Sequence, residues 1–187
     1  MKALKSLATS FAIVATACVL AAPATAGDQG LGARKIEPGV WIAKVVEAPG
    51  QWSYVVTSDP SGRRGAAYGT VDVGLYTAGL DDMVDGTSPL LIDLVVTKPG
   101  VVRFNSVWYG LKKTSDGVTT AQIIYIGMNH GEITYVGRDK AEGVHNIEYY
   151  LPTQDADHDG LPDPGQLPIG GATVHTKETR LGQYVAP

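Results

Sequence analysis

Hydrophobic and polar residues alternate along most of the chain after residue 37, which is the pattern of β-strands that bury one face. The alternation is clearest in residues 51–57, 89–97 and 101–111. In each segment most alternate residues are apolar or aromatic, and these residues are predicted to face a core. The three sets are Trp52, Tyr54 and Val56; Leu90, Ile92, Leu94 and Val96; and Val102, Phe104 and Trp108.

Turn signals divide this pattern into about nine strands. Strands are predicted at residues 38–47, 51–57, 66–76, 89–97, 101–111, 118–128, 132–138, 143–151 and 172–184. The predicted turns include Asp59-Pro60-Ser61-Gly62, Lys98-Pro99-Gly100, Ser115-Asp116-Gly117 and Asn129-His130-Gly131. The last strand is polar, and His175, Lys177 and Glu178 are predicted to be exposed. Outside the N-terminal segment, a helical period extends over a turn or two at most, at residues 79–84.

Short connections between successive strands favour an antiparallel meander, which closes either as a barrel or as a two-sheet sandwich. Gly39-Val40-Trp41 is similar to the Gly-x-Trp of the first lipocalin strand. In that family an arginine late in the chain covers the tryptophan, and the resemblance implies that Arg180 takes this place. We therefore predict an all-β fold, an antiparallel meander closed as a lipocalin-like β-barrel, with a β-sandwich as the alternative.

The first 26 residues have the three parts of a secretory signal peptide. A basic start with Lys2 and Lys5 precedes an apolar run over about residues 7–22, and Ala24-Thr25-Ala26 is a small-x-small cleavage site. The apolar run is too short for a convincing membrane span. We predict a signal peptide at residues 1–26, a single β domain at residues 27–187, and a secreted or periplasmic location. A retained anchor helix and lipidation at Cys18 are the alternatives.

The formal charge of the predicted mature chain argues against a nucleic-acid partner. Removal of residues 1–26 takes away two lysines and no acidic residue, which leaves 13 basic and 19 acidic side chains and a formal charge of −6. A nucleic-acid partner would need a basic face, so we predict none. The only cysteine, Cys18, lies in the predicted signal. The mature chain must therefore be stabilised by its core rather than by disulfides.

Residues 155–163 carry the spacing of a loop that binds a hard cation. Positions 1, 3, 5, 7 and 9 of this loop are Asp155, Asp157, Asp159, Leu161 and Asp163. The aspartates offer carboxylate oxygens, Leu161 offers its backbone carbonyl, and Gly160 at position 6 permits the sharp bend. Calcium takes six to eight such oxygens.

The loop resembles the calcium loops of EF-hands, dockerins and thrombospondin type 3 repeats, and its Asp-x-Asp-x-Asp-Gly-Leu-Pro-Asp wording is most similar to the bacterial thrombospondin type 3 variants. The resemblance implies calcium as the cofactor, in an insertion at about residues 152–171. Gln166 stands where an EF-hand has its bidentate glutamate, and Pro162 and Pro164 exclude an exit helix. We expect weak binding, with a Kd of about 10⁻⁴–10⁻³ M. The alternative is a solvated acidic turn.

Aromatic residues supply the candidate ligand contacts. Tyrosine outnumbers phenylalanine nine to two, and a core with so many hydroxyls needs internal partners or a wet cavity. We predict that Trp52, Tyr54, Trp108 and Tyr125 contact a ligand inside the barrel. Aromatic faces that stack on sugars are the alternative.

Catalytic motifs are missing from the sequence, which has no Gly-x-Ser-x-Gly and no His-Glu-x-x-His. His145 and Glu148 fall on opposite faces of one strand. The sequence predicts an exported, non-catalytic β-barrel that binds a small amphipathic or apolar ligand and has a calcium-stabilised loop. A structural, cell-surface adhesion or glycan-binding sandwich module, and an enzyme with a dispersed active site, are the alternatives. No stable membrane span is predicted in the mature chain.

Overall fold

The described part of the chain forms one antiparallel sheet that closes on itself. The computed structural model describes residues 35–70, 84–113 and 121–182. Its strands are β1 (Gly39–Val45), β2 (Gln51–Ser58), β3 (Arg64–Thr70), β4 (Gly86–Thr87), β5 (Leu90–Lys98), β6 (Val101–Lys113), β7 (Ala121–Gly137), β8 (Lys140–Tyr150) and β9 (Gly170–Arg180). Apart from a short 3₁₀ turn at Pro152–Gln154, these residues form no helix.

Closure comes from the pairing of β6 with β7. The hydrogen-bonded order is β4-β6-β5-β3-β2-β1-β9-β8-β7, and the additional β6–β7 pairing joins the two ends into a ring of eight strands, with β4 paired to β6. Every neighbouring pair is antiparallel. The predicted antiparallel meander closed as a β-barrel is confirmed, and the two-sheet alternative is not what the chain forms.

The inward faces are those that the alternation predicts. The predicted core residues of β2 and β6 are buried, as are Leu90, Leu94 and Val96 of β5, whereas Ile92 is half-buried. Gly62 N–H donates to the Asp59 carbonyl at 2.9 Å, so the predicted turn between β2 and β3 is present. In the described ranges no helix has the length and hydropathy to cross a membrane.

One predicted turn is wrong. Asn129-His130-Gly131 lies in the middle of β7, which continues without a break from Ala121 to Gly137. Gly131 serves packing rather than turning, because a Cβ atom at this position would lie 1.9 Å from the Val144 carbonyl oxygen. The glycine lets β7 and β8 approach closely, and the two predicted strands at residues 118–128 and 132–138 are therefore one.

Some predictions fall outside the described ranges. The predicted strand at residues 66–76 corresponds to β3, Arg64–Thr70, and its remainder lies outside the described residues, as does most of the predicted helical turn. The Ser115-Asp116-Gly117 hairpin also lies outside the described residues, although β6 and β7 on either side of it pair in antiparallel register.

Two glycines make room for the largest rings inside the barrel. A Cβ atom on Gly127 would lie 2.2 Å from Trp108 Cε2, and one on Gly110 would lie 2.2 Å from Tyr125 Cε1. Each ring therefore lies over the backbone of the neighbouring strand. This arrangement lets a tryptophan and a tyrosine share one barrel interior at crystal-like packing density.

The first strand is held at its start by an arginine from the last. Arg180 lies directly opposite Trp41 in the β1–β9 register, which is the place that the lipocalin resemblance implies. Its guanidinium pairs with Asp139 and Glu37, and the Trp41 Nε1–H donates to the Glu37 carbonyl at 3.1 Å. Arg180 thus ties the chain before β1 to the turn between β7 and β8.

We predict that Gly127→Ala destabilises the protein by about 1–3 kcal/mol, because the methyl group forces the Trp108 ring out of its position. Gly137→Ala on the same strand is the matched control, since its Cβ atom would lie 3.7 Å from the nearest neighbour. Urea unfolding compares the two variants. Equal stabilities would contradict the tight fit of Trp108 over β7.

Candidate functional site

Three carboxylates converge in the segment that joins β8 to β9. This segment, residues 151–169, is called the Asp loop below. Asp155, Asp157 and Asp159 each offer one carboxylate oxygen, and these oxygens lie within 4.8 Å of one another. Asp155 is buried and the other two are exposed. The cluster is open to solvent on one side and anchored in the protein on the other.

Backbone N–H groups hold these side chains in place. The two carboxylate oxygens of Asp155 accept hydrogen bonds from the N–H groups of Asp159 at 3.1 Å and Gly160 at 3.0 Å. Asp159 Oδ1 accepts one from the Leu161 N–H at 2.8 Å. The bend that permits these bonds is at Gly160, whose φ of 90° favours glycine. Three of the four aspartates therefore converge around this bend, as their spacing predicts.

Asp163 has a different position from the other three aspartates. Its Oδ2 accepts the Ala156 N–H at 3.1 Å, and its own N–H donates to the Gln154 carbonyl at 2.7 Å. It closes the loop by joining its two ends, and its carboxylate is not among the three that converge. The assignment of Asp163 and of the Leu161 carbonyl as metal ligands stays a prediction.

The convergence of three negative charges has an energetic cost without a cation. Two unit charges about 5 Å apart repel each other by about 1 kcal/mol in bulk water, and by more where a protein surface lowers the effective dielectric constant. Asp155, as the buried member, is partly shielded from water. A divalent cation would remove this repulsion, and carboxylate oxygens are the ligands that hard cations prefer.

The Asp loop lies against the outside of the barrel. Ile126 on β7 faces outward, opposite Tyr150 on β8, yet the two residues are only 2% and 7% exposed. Tyr109 on β6 is opposite Ile126, and its hydroxyl donates to the Gly160 carbonyl at 3.1 Å. Desolvation and a hydrogen bond to Glu148 raise the pKa of Tyr150 to about 12. The loop therefore covers part of the outer wall and is fastened to it beside the carboxylates.

All four predicted ligand contacts lie inside the barrel. Trp52, Tyr54, Trp108 and Tyr125 are buried in the core. The enclosed cavity beside Tyr54 has a volume of only about 10 Å³, which is about the space of one water molecule. The structure brings the four rings into one interior, and their role as ligand contacts stays a prediction.

Sequence reasoning missed a polar centre in the middle of the barrel. His145 and Glu178 are 3% and 1% exposed, and His145 Nε2 lies 3.3 Å from Glu178 Oε1. Glu178 also accepts hydrogen bonds from the Tyr54 hydroxyl and from the Thr176 hydroxyl. The expectation that Glu178 is exposed is wrong: within β9 it alternates with Lys177 and points inward.

Side chains of Asn129, Thr176 and Tyr54 lie within hydrogen-bond distance of His145 and Glu178. Asn129 Nδ2 lies 3.2 Å from His145 Nδ1, and His145 Nε2 lies 3.0 Å from the Thr176 hydroxyl and 3.3 Å from Glu178 Oε1. Burial, followed by the nearby Glu178 charge, raises the pKa of Tyr54 well above its usual value. The signal that could have found the centre is the alternation itself, which gives Glu178 the same phase as the buried Thr176.

Two cavities lie on the outer wall next to the Asp loop. The first, of about 440 Å³, is mainly apolar and includes Leu91, Val107, Met128 and Leu161. The second, of about 500 Å³, lies on the other side of β7 and is more polar. Its lining residues are His130, Asn146, Ile147, Glu148, Pro168, Ile169, Gly170, Gly171, Ala172 and Thr173. Both volumes are in the range of small-molecule sites.

The geometry defines a closed eight-stranded barrel with an acidic loop on its outer wall. No protein-family model matches the chain, and no curated protein matches it. The chain is similar to a solved structure described as "Structure of EF1p2_mFAP2b bound to DFHBI", with a TM-score of 0.39 and 13% identity over 77% of this chain and 93% of that one. The fold assignment rests on the strand register and not on this similarity.

We predict that Tyr54→Phe destabilises the protein by about 1–3 kcal/mol, because it removes a donor from a buried carboxylate. Tyr68→Phe, on the exposed outer face of β3, is the control and should change stability by less than about 0.5 kcal/mol. Chemical denaturation of both variants measures the difference. A Tyr54→Phe variant as stable as the control would show that Glu178 does not depend on this hydroxyl.

Proposed function

We propose that this protein is an exported, non-catalytic β-barrel that binds a small amphipathic or apolar ligand and whose Asp loop binds calcium. The observation that carries the calcium part is the convergence of the Asp155, Asp157 and Asp159 carboxylate oxygens within 4.8 Å. Three carboxylates from alternate residues are a donor set for a hard cation. The Leu161 carbonyl and Asp163 would complete the set if Asp163 exchanges its bond to Ala156 for the ion.

The ligand has most room on the outer wall. The cavity of about 440 Å³ beside Leu161 is mainly apolar, with Asp93 and Asn105 at one side. Such a combination of apolar lining and few polar groups suits a small amphipathic molecule. The barrel interior near Tyr54 has space for about one water molecule, so the same ligand would need the core to open.

The non-catalytic role is proposed from the positions of two histidine–carboxylate pairs. His175 Nδ1 and Glu47 Oε1, 2.5 Å apart, are exposed and line neither outer cavity. His145 and Glu178 are the histidine and carboxylate that the fold brings together in the interior, and both are almost completely buried. A substrate has no access to them in this arrangement. Their hydrogen bonds to Tyr54, Thr176 and Asn129 account for them as a structural network.

We predict that calcium raises the melting temperature of the mature protein. At ten times a Kd of about 10⁻³ M, that is at about 10 mM calcium, linkage contributes about 1.4 kcal/mol. For a domain of about 160 residues this corresponds to a rise of about 3–6 °C. Differential scanning calorimetry with calcium and with a chelator measures the shift.

The Asp157→Ala variant should lose this rise, because it removes one of the three converging carboxylates. Glu142→Ala, which removes an exposed carboxylate from β8, is the matched control and should keep the rise. An unchanged melting temperature of the wild-type protein in calcium would identify the Asp loop as a solvated acidic turn. A shift that Asp157→Ala retains would place the ion elsewhere.

Export is proposed from the N-terminal sequence, with its basic start, apolar run and Ala24-Thr25-Ala26 site. We expect N-terminal sequencing of the exported protein to begin at Gly27. A protein that keeps Met1 in the cell interior would contradict export.

A further inference from the structure

The two outer cavities adjoin along a row of polar side chains. Asp93, Asn105, His130, Asn146 and Thr173 lie directly opposite one another on five successive strands, from β5 to β9. The first cavity includes the first two of these residues, and the second includes the other three. The cavities therefore meet between Asn105 and His130. With strands about 4.8 Å apart, the row spans about 19 Å.

Apolar side chains run beside this polar row. Leu91, Val107 and Met128 are paired in the adjacent row on β5, β6 and β7. The Asp loop adds Leu161 to the first cavity and Ile169 to the second. On β8 and β9 the same row continues as Glu148 and Gly171, so the sheet makes this edge apolar only over the first cavity. The result is a groove with one polar edge and a second edge that is apolar from Leu91 to Met128 and carries Glu148 and Ile169 over the second cavity.

The charges and hydrogen-bonding groups that line the groove indicate which class of ligand it can bind. Neither cavity is lined by a lysine or an arginine, and Asp93 and Glu148 place carboxylates in it, so an anionic ligand is disfavoured. Amide, imidazole and hydroxyl groups both donate and accept hydrogen bonds. The Asn105 and His130 side chains have no hydrogen-bond partner among the described residues and remain available.

We propose that the amphipathic ligand of the outer wall is a neutral oligosaccharide that occupies this groove, and that calcium in the Asp loop strengthens the binding. A sugar chain has hydroxyl groups along its edges and apolar C–H faces, which match the two edges of the groove. The second part of this inference, stronger saccharide binding with calcium, rests on the proposed calcium site. Leu161 would give its backbone carbonyl to the ion while its side chain, 41% exposed, lines the groove.

The test is isothermal titration calorimetry of the mature wild-type protein with cellohexaose, maltohexaose and N-acetylchitohexaose, each in 10 mM calcium. We expect at least one of them to bind with a Kd below about 1 mM. Asn105→Ala and His130→Ala should each raise that Kd about tenfold, the loss expected for one well-aligned hydrogen bond. Thr134→Ala, exposed on the same strand as His130, is the control and should leave the Kd unchanged.

The outcomes separate this inference from the calcium proposal. If calcium raises the melting temperature and none of the three sugars binds, the saccharide site is overturned while the cation site stands. Binding that Asn105→Ala and His130→Ala leave unchanged also overturns the site. A chelator should weaken saccharide binding at least fivefold. Equal saccharide affinity with and without calcium would contradict the coupling between the two sites, while the groove would still be a saccharide site.

Discussion

Closure of the hydrogen-bonded ladder is the constraint on which the rest of this structure depends. Because β6 pairs with β7, eight strands satisfy one another's backbone groups, and each strand must present alternate residues to the inside and the outside. The inside is then filled by rings that lie over glycines of neighbouring strands, as Trp108 lies over Gly127. Because the interior is filled, the larger open spaces lie on the outer wall, beside the Asp loop.

The buried carboxylate in the interior and the carboxylates of the Asp loop have different surroundings. Glu178 is buried, accepts hydrogen bonds from the Tyr54 and Thr176 hydroxyls and lies 3.3 Å from His145 Nε2, so its neighbours are supplied by the protein. The carboxylates of Asp155, Asp157 and Asp159 are brought together by backbone N–H groups, and two of them are exposed. Glu178 therefore has its partners within the protein, whereas Asp157 and Asp159 are exposed and can offer oxygens to an ion. This contrast is the physical reason for assigning structure to one and binding to the other.

Local physics explains which features could be predicted from the sequence. The alternation has a period of two, so the inward faces of β2, β5 and β6 follow from it, and the short turns imply the meander. The convergence of Asp155, Asp157 and Asp159 was predictable because these residues occupy alternate positions of one short segment. The uninterrupted β7 was not, because Gly131 is needed for a close approach to Val144 on another strand. The His145–Glu178 pair and the groove join residues far apart in the chain, and only the register of the closed sheet brings them together.

The most direct test of this account is a crystal structure of the mature protein grown in calcium, with the ion located by its anomalous scattering. The account predicts one peak in the Asp loop, bound by carboxylate oxygens of Asp155, Asp157 and Asp159 at about 2.3–2.6 Å. A loop with no peak, in which the three carboxylates point away from one another, would contradict it.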